Sequence, residues 1–206
     1  MTIELQASLF DAPVPTLGRL APTRTELAHG AWVDHQPAWV SGSDQLFLDL
    51  VRRVPWREEQ RTMYDRVVDV PRLLCFYDED AVLPHSVLTS ARTALSNHYR
   101  AELGEDFTTA GLCYYRDGRD SVAWHGDRIG RSMTEDTMVA IVSIGEPRRL
   151  LLRPSTGGPS IGFALGHGDL LVMGGSCQRT WEHAVPKTAK PVGPRISIQY
   201  RPFNVR

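Results

Sequence analysis

Residues 161–200 read IGFALGHGDLLVMGGSCQRTWEHAVPKTAKPVGPRISIQY, in which four short apolar runs (161–165, 170–173, 181–185 and 195–200) alternate with turns rich in Gly and Pro. Three similar runs stand upstream, at 111–115, 137–144 and 149–152. Seven short strands with no helices between them exclude a doubly wound parallel sheet and predict an antiparallel sandwich or jelly roll. In the last run, Arg195-Ile196-Ser197-Ile198-Gln199-Tyr200-Arg201, the polar residues share one face and Ile196, Ile198 and Tyr200 the other. An ordinary sandwich strand turns its polar face to solvent, whereas a barrel that holds a ligand can turn it inward. Six residues span about 20 Å and an arginine reaches about 6 to 7 Å, so Arg195 and Arg201 can grip a small dicarboxylate between them.

Upstream the periodicity is helical. Ser43 is a plausible N-cap for a helix carrying Leu46, Phe47, Leu50, Val51 and Val54 on one side and stopping at Pro55. A second helix is expected from about His85 to Glu102, with Val87, Leu88, Ala91, Leu95 and Tyr99 in one stripe, Pro84 ahead of it and Gly104 behind. The first forty residues hold four prolines and little periodicity, and read as an arm over the domain with residues 1–15 mobile. The expected fold is α+β, helices first and a β-barrel or sandwich after, with residues 16–206 as one domain.

With 206 residues, 42% of them hydrophobic, the chain can bury a core and enclose a site. Its net charge of −1 removes the strong basic excess of many nucleic-acid proteins while leaving room for a local patch. Apart from Lys187 and Lys190 the cations are arginines, the residue suited to bidentate contact with carboxylate and phosphate, although a GC-rich coding sequence produces the same bias. Cys75, Cys113 and Cys177 form neither a disulfide framework nor a CxxC pattern. With no signal-like start and no membrane-length apolar run, the expectation is a soluble, cytoplasmic protein without a membrane partner.

No phosphate loop, GxGxxG turn or GxSxG elbow is present. Histidine and carboxylate remain. Two His-x-Asp triplets occur, His125-Gly126-Asp127 and His167-Gly168-Asp169. The second enters a strand through a glycine-rich turn and reads as turn chemistry. The first follows a strand and has a third candidate ligand in His183; two His and one Asp can form the facial triad that holds Fe(II) and leaves open positions.

Taken together, His125-x-Asp127, His183 and the pair Arg195 and Arg201 closely resemble the AlkB family of Fe(II)/2-oxoglutarate-dependent dioxygenases, read here as a bacterial member. Val70-Pro71-Arg72, Tyr115-Arg116-Asp117-Gly118 and the run from Gly168 to Gly175 extend the resemblance over about Val70 to Phe203. It implies a double-stranded β-helix (jelly roll, cupin-like) core over 107–206 with N-terminal helices packed on one sheet, 16–106 supplying those helices and a nucleotide-recognition lid. It implies iron at His125, Asp127 and His183, and 2-oxoglutarate at Arg195, Arg201 and Tyr115. Cys113 and Ser197 stand at co-substrate positions where many members have Asn, and Arg128-Ile129 stand where repair members carry an acidic residue facing the base.

The implied reaction consumes O2 and 2-oxoglutarate and removes N-alkyl lesions (1-methyladenine, 3-methylcytosine, etheno adducts) from single- or double-stranded DNA with release of formaldehyde. The alternatives are the same chemistry on RNA, a protein or a small molecule, and a non-catalytic nucleic-acid binder. A flipped base calls for stacking and phosphate contacts. Trp56, Tyr77 and Trp124 are the stacking candidates, with Arg72, Arg116 and Arg119 for phosphate, and Arg128 and Arg131 for phosphate or the opposite strand, their alternative being a solvated loop. Gln6-Ala7-Ser8-Leu9-Phe10 resembles the peptide by which bacterial repair proteins dock on the sliding clamp, its alternative being an apolar staple on its own domain. A monomer is expected.

Overall fold

The computed structural model describes residues 14–63 and 66–205; Gln6, Leu9 and Phe10 lie outside them. Two antiparallel sheets face one another. The larger runs in the spatial order Thr23–Glu26, Ala31–Gln36, Asp169–Gly175, Val139–Gly145, Arg195–Arg201, Thr109–Tyr115, Leu73–Tyr77. The smaller runs Ile161–Leu165, Arg148–Pro154, Trp181–Val185, Val122–His125. All seven expected strands are present, and Val122–His125 joins them as the strand that carries the first metal-ligand candidate.

The central strands are apolar on both sides because both sides are covered. In Val139–Gly145, Ala140, Val142 and Ile144 pack towards the helices while Val139 and Ile141 pack towards the smaller sheet. The outermost strand, Thr23–Glu26, is instead polar and exposed, which discourages pairing with another chain. Helix α1 (Ser43–Arg53) and helix α2 (Ser86–Leu103) cover the outer face of the large sheet. The stripe Val87, Leu88, Ala91, Leu95 and Tyr99 is buried as its spacing requires.

Helix ends follow local chemistry. Gly104 closes α2 at φ +80°, and Val54, preceding Pro55, is extended as a residue before proline must be. The start of α1 differs from expectation. Gly42 takes the cap position at φ +67°, while Ser43 is already helical and donates its hydroxyl back to the Val40 carbonyl at 2.8 Å. The reading of the first forty residues as an overlying arm is also corrected. Ala31–Gln36 pairs along its length with Asp169–Gly175, inside the large sheet. Its apolar residues were too few to show a period, yet Ala31, Trp32 and Val33 are buried. Residues 16–106 therefore supply strands to the same sheet as 107–206.

The second His-x-Asp triplet is a turn. Gly168 adopts φ +88°, His167 Nδ1 accepts from the Gly145 amide, and Asp169 accepts from the amides of Gly166 and Ala38.

Candidate active site

Pairing of Val122–His125 with Trp181–Val185 sets His125 opposite His183, with ring centroids 4.2 Å apart. The chain then turns through Gly126, where an added Cβ would lie 2.7 Å from the Gln178 carbonyl oxygen, so this close turn requires glycine. Gln178 holds the turn: its side-chain oxygen accepts from the Asp127 amide at 3.1 Å and its carbonyl from Arg128 Nε at 3.2 Å. Donor atoms of His125, Asp127 and His183 all lie within 4.8 Å of one another, close enough for one ion to take all three. His125 Nδ1 sits 2.9 Å from the Ala123 carbonyl. A carbonyl only accepts, so Nδ1 carries the hydrogen and Nε2 is left as a metal donor.

Burial and neighbouring charges set the forms of His183 and Asp127. Burial, helped by His125 and opposed by Asp127, pushes the His183 imidazole down to about 3. It is therefore neutral near pH 7. Burial of Asp127 acts to raise its pKa but is outweighed by Arg201, His183 and His125, which together hold the carboxylate ionised.

The final strand turns its polar face inward, towards a cavity of about 880 Å³ that also holds the three ligand candidates. Arg201 Nε donates to Asp127 Oδ2 at 2.8 Å, tying one end of this polar row to the metal-ligand cluster. At the other end Arg195 is 1% exposed; its Nε donates to Ser143 Oγ at 2.8 Å, and its Nη1 is buried without a hydrogen-bond partner. Tyr115 lies between Arg195 and Arg148, whose guanidinium carbons are 5.2 and 5.8 Å from its ring. Burial and Cys113, against three arginines, push its phenol up to about 12, so it stays protonated and can donate. Cys113 and Ser197 line the same cavity.

The substrate candidates separate. Arg72 and Trp124 line the cavity; Arg72 Nη1 donates to the Ser121 carbonyl, and Arg153 stacks behind Trp124 at 4.2 Å. Trp56 and Tyr77 do not. Both pack on the helix side of the large sheet, Trp56 against Tyr114 at 5.3 Å between ring centroids. The reason is strand parity: in Leu73–Tyr77, Phe76 faces the cavity and Tyr77 faces away. Arg116 and Arg119 sit on the loop before Val122–His125, bound to Asp120 and Asp117. Arg128 is bent towards Gln178 rather than into the cavity.

Sequence reasoning missed Phe76, Ile129, Ser143, Gln178 and Gln199. Ser143 was visible as the one polar residue inside an apolar run, and Gln199 belonged to the polar face already noted; Gln178 gave no signal.

The sequence pattern of the 2OG-Fe(II) oxygenase superfamily matches residues 77–201. The chain belongs to the 2OG-Fe(II) oxygenase superfamily. Among curated relatives of this oxygenase, alpha-ketoglutarate-dependent dioxygenase alkB homolog 3 of Bos taurus is 29% identical, the match covering 77% of this chain and 61% of that protein. This chain thus spans about three-fifths of that relative's length. DNA oxidative demethylase ALKBH2 of Arabidopsis thaliana is 25% identical over 88% of this chain and 70% of its own. Two solved structures share the oxygenase fold. OsALKBH1 superposes with a TM-score of 0.58 at 14% identity, covering 90% of this chain and 99% of that one. The prolyl hydroxylase of Trichoplax adhaerens gives 0.60 at 13% identity, with 84% of each chain covered.

Fe(II), 2-oxoglutarate and O2 are the cofactors of this superfamily, and the residues present fit them. Two imidazoles and a carboxylate are a donor set for Fe(II) that leaves coordination positions free. Arg195 gives the second test: a guanidinium cannot be deprotonated in a protein, so its buried, unpartnered Nη1 calls for an anion in the cavity.

Proposed function

We propose that this oxygenase removes N-alkyl groups from nucleic-acid bases, with methylated DNA as the main substrate and RNA as the alternative. The observation that carries this reading is the Arg201–Asp127 bond, by which the arginine pair that we read as an anion clamp adjoins the His-Asp-His cluster in one cavity. At about 880 Å³ that cavity is larger than a five-carbon dicarboxylate fills, leaving space for a nucleobase. Support for the substrate comes from the relatives, which are named as alkB homologues and DNA oxidative demethylases.

Fe(II), 2-oxoglutarate and O2 supply oxidation of a C–H bond, so that an N-methyl group, O2 and 2-oxoglutarate become N–H, formaldehyde, succinate and CO2. The chain's part is to bind, orient and exclude water. His125, Asp127 and His183 hold the metal. Arg195, with Ser143 fixing its Nε, takes the distal carboxylate, and Arg201 stands by the other carboxylate while orienting Asp127. Tyr115, Cys113 and Ser197 complete the co-substrate wall. Trp124 and Phe76 offer aromatic faces to an extruded base, and Arg72 a cation in the cavity wall.

The test is a panel assay. Methylated and etheno-bearing oligonucleotides, in DNA and RNA and in single and double strands, are incubated with Fe(II) and 2-oxoglutarate, following formaldehyde or glyoxal together with succinate. Turnover on at least one nucleic-acid lesion is expected. Succinate formation stimulated only by a free small molecule or a peptide would overturn the nucleic-acid reading.

A further inference from the structure

We propose that Gln199 is a positioning residue for the co-substrate, its carboxamide aligning Arg201 and turning the hydrogens of Ser197 and Cys113 towards the bound anion. This rests on the co-substrate reading above. Gln199 Oε1 accepts from Arg201 Nη2 at 3.1 Å, while Nε2 lies 3.2 Å from Ser197 Oγ and 3.4 Å from Cys113 Sγ. The orientation of the amide follows from chemistry. A guanidinium only donates, so the carbonyl oxygen must face Arg201 and the NH2 group must face the hydroxyl and the thiol.

Towards Gln199, Ser197 and Cys113 are therefore acceptors, and each keeps its own hydrogen for a second partner. Both are buried in the cavity wall, Ser197 on the same strand face as Arg195 and Arg201 and directly between them. A dicarboxylate in that clamp is the acceptor they face. One amide thus converts two groups of ambiguous polarity into donors aimed at an anion, and braces the arginine that holds Asp127. The opposite strand is shaped for this arrangement. Gly111 lies across from Gln199, and a Cβ there would come within 3.1 Å of Arg201 Nη1 and 3.5 Å of Gln199 Oε1.

The experiment is calorimetric titration of 2-oxoglutarate into the Zn(II)-loaded full chain, which reports binding without turnover. Gln199→Leu is expected to weaken 2-oxoglutarate roughly tenfold, the value of a hydrogen-bond network to a charged group, and to weaken Zn(II), which Gln199 reaches only through Arg201 and Asp127, by less. Ser197→Ala is expected to weaken it several-fold in the parent but not further in the Gln199→Leu background, because the hydroxyl is no longer aligned. Gln199→Glu keeps the shape and the Arg201 contact but accepts the Ser197 hydrogen, and is expected to bind at least as poorly as Gln199→Leu. Unchanged affinity in Gln199→Leu or Gln199→Glu, or additive losses in the double variant, would overturn the role of Gln199. Failure of the unsubstituted Zn(II) protein to bind 2-oxoglutarate would overturn the co-substrate reading itself, and this role with it.

Discussion

Arg195 concentrates the chemistry of the site in one side chain. It is wholly enclosed and burial lowers its pKa, an effect that Tyr115 and Cys113 oppose, while Ser143 accepts its Nε hydrogen. A charge kept under such conditions has a use. Lysine cannot reproduce the arrangement, because a point ammonium cannot bond Ser143 and a carboxylate in the same fork. Arg195→Lys is expected to raise KM for 2-oxoglutarate by about tenfold or more with a smaller change in kcat. Steady-state kinetics in the co-substrate check this, and an unchanged KM would remove Arg195 from the clamp. His125, Asp127, His183 and the two arginines were each visible in sequence, but two His-x-Asp triplets were present and it was the family resemblance that joined these five residues into one site. Their supports were not visible. Gln178 lies 50 and 51 residues from the two turn residues it bonds, and only the folded sheet brings them together.

At the scale of elements, periodicity identified which face of a helix is buried but not which way a short strand turns. Five residues with apolar character on both faces, Leu73–Tyr77, gave no basis for choosing between Phe76 and Tyr77. The structure makes the choice testable. Phe76→Ala is expected to lower kcat/KM for an oligonucleotide roughly tenfold, the loss of one stacking face, with little change in stability. Tyr77→Ala is expected to lower the thermal midpoint instead. A reversed pattern would contradict the assigned parity.

Helix α2 carries a pH effect of its own. His85 caps it by accepting the Val87 N–H at Nδ1, 3.1 Å away, and burial, with Arg53 adding to it against Asp49, lowers the His85 pKa. The unfolded chain therefore binds this proton more readily than the folded one. Stability is unaffected above the unfolded-state value of about 6.5 and falls as pH drops below it. Replacing the cap with His85→Asn keeps an acceptor that does not titrate, and is expected to reduce the loss of stability between about pH 7.5 and 5.5. Urea unfolding at the two pH values checks this; an identical loss in parent and variant would contradict it.

For the molecule as a whole, an antiparallel sandwich or jelly roll was legible from seven apolar runs and the turns between them, since strand length and breakers are local properties. The strand Ala31–Gln36 was not, because its partner Asp169–Gly175 lies more than a hundred residues away and supplies the burial that its own pattern does not advertise. Among the described residues no helix is long and apolar enough to cross a membrane. The net charge of −1 now has a sharper consequence. Any nucleic-acid affinity must come from a local group of arginines near the cavity, such as Arg72, and should be modest. Binding of an oligonucleotide is expected to weaken on the order of tenfold between about 50 and 200 mM salt, as two or three phosphate contacts would give. Fluorescence anisotropy at the two salt concentrations measures it, and salt-independent binding would contradict it.

The central claim joins the metal cluster, the arginine clamp and an alkylated base in one reaction. Its most direct test is mass spectrometry of a single methylated DNA strand incubated with the protein, Fe(II) and 2-oxoglutarate, with succinate quantified in the same sample. The account expects loss of the methyl group with succinate formed alongside it, and neither in Asp127→Ala. Demethylation that persists in Asp127→Ala, or an unchanged oligonucleotide beside active succinate formation for every methylated strand offered, would contradict it.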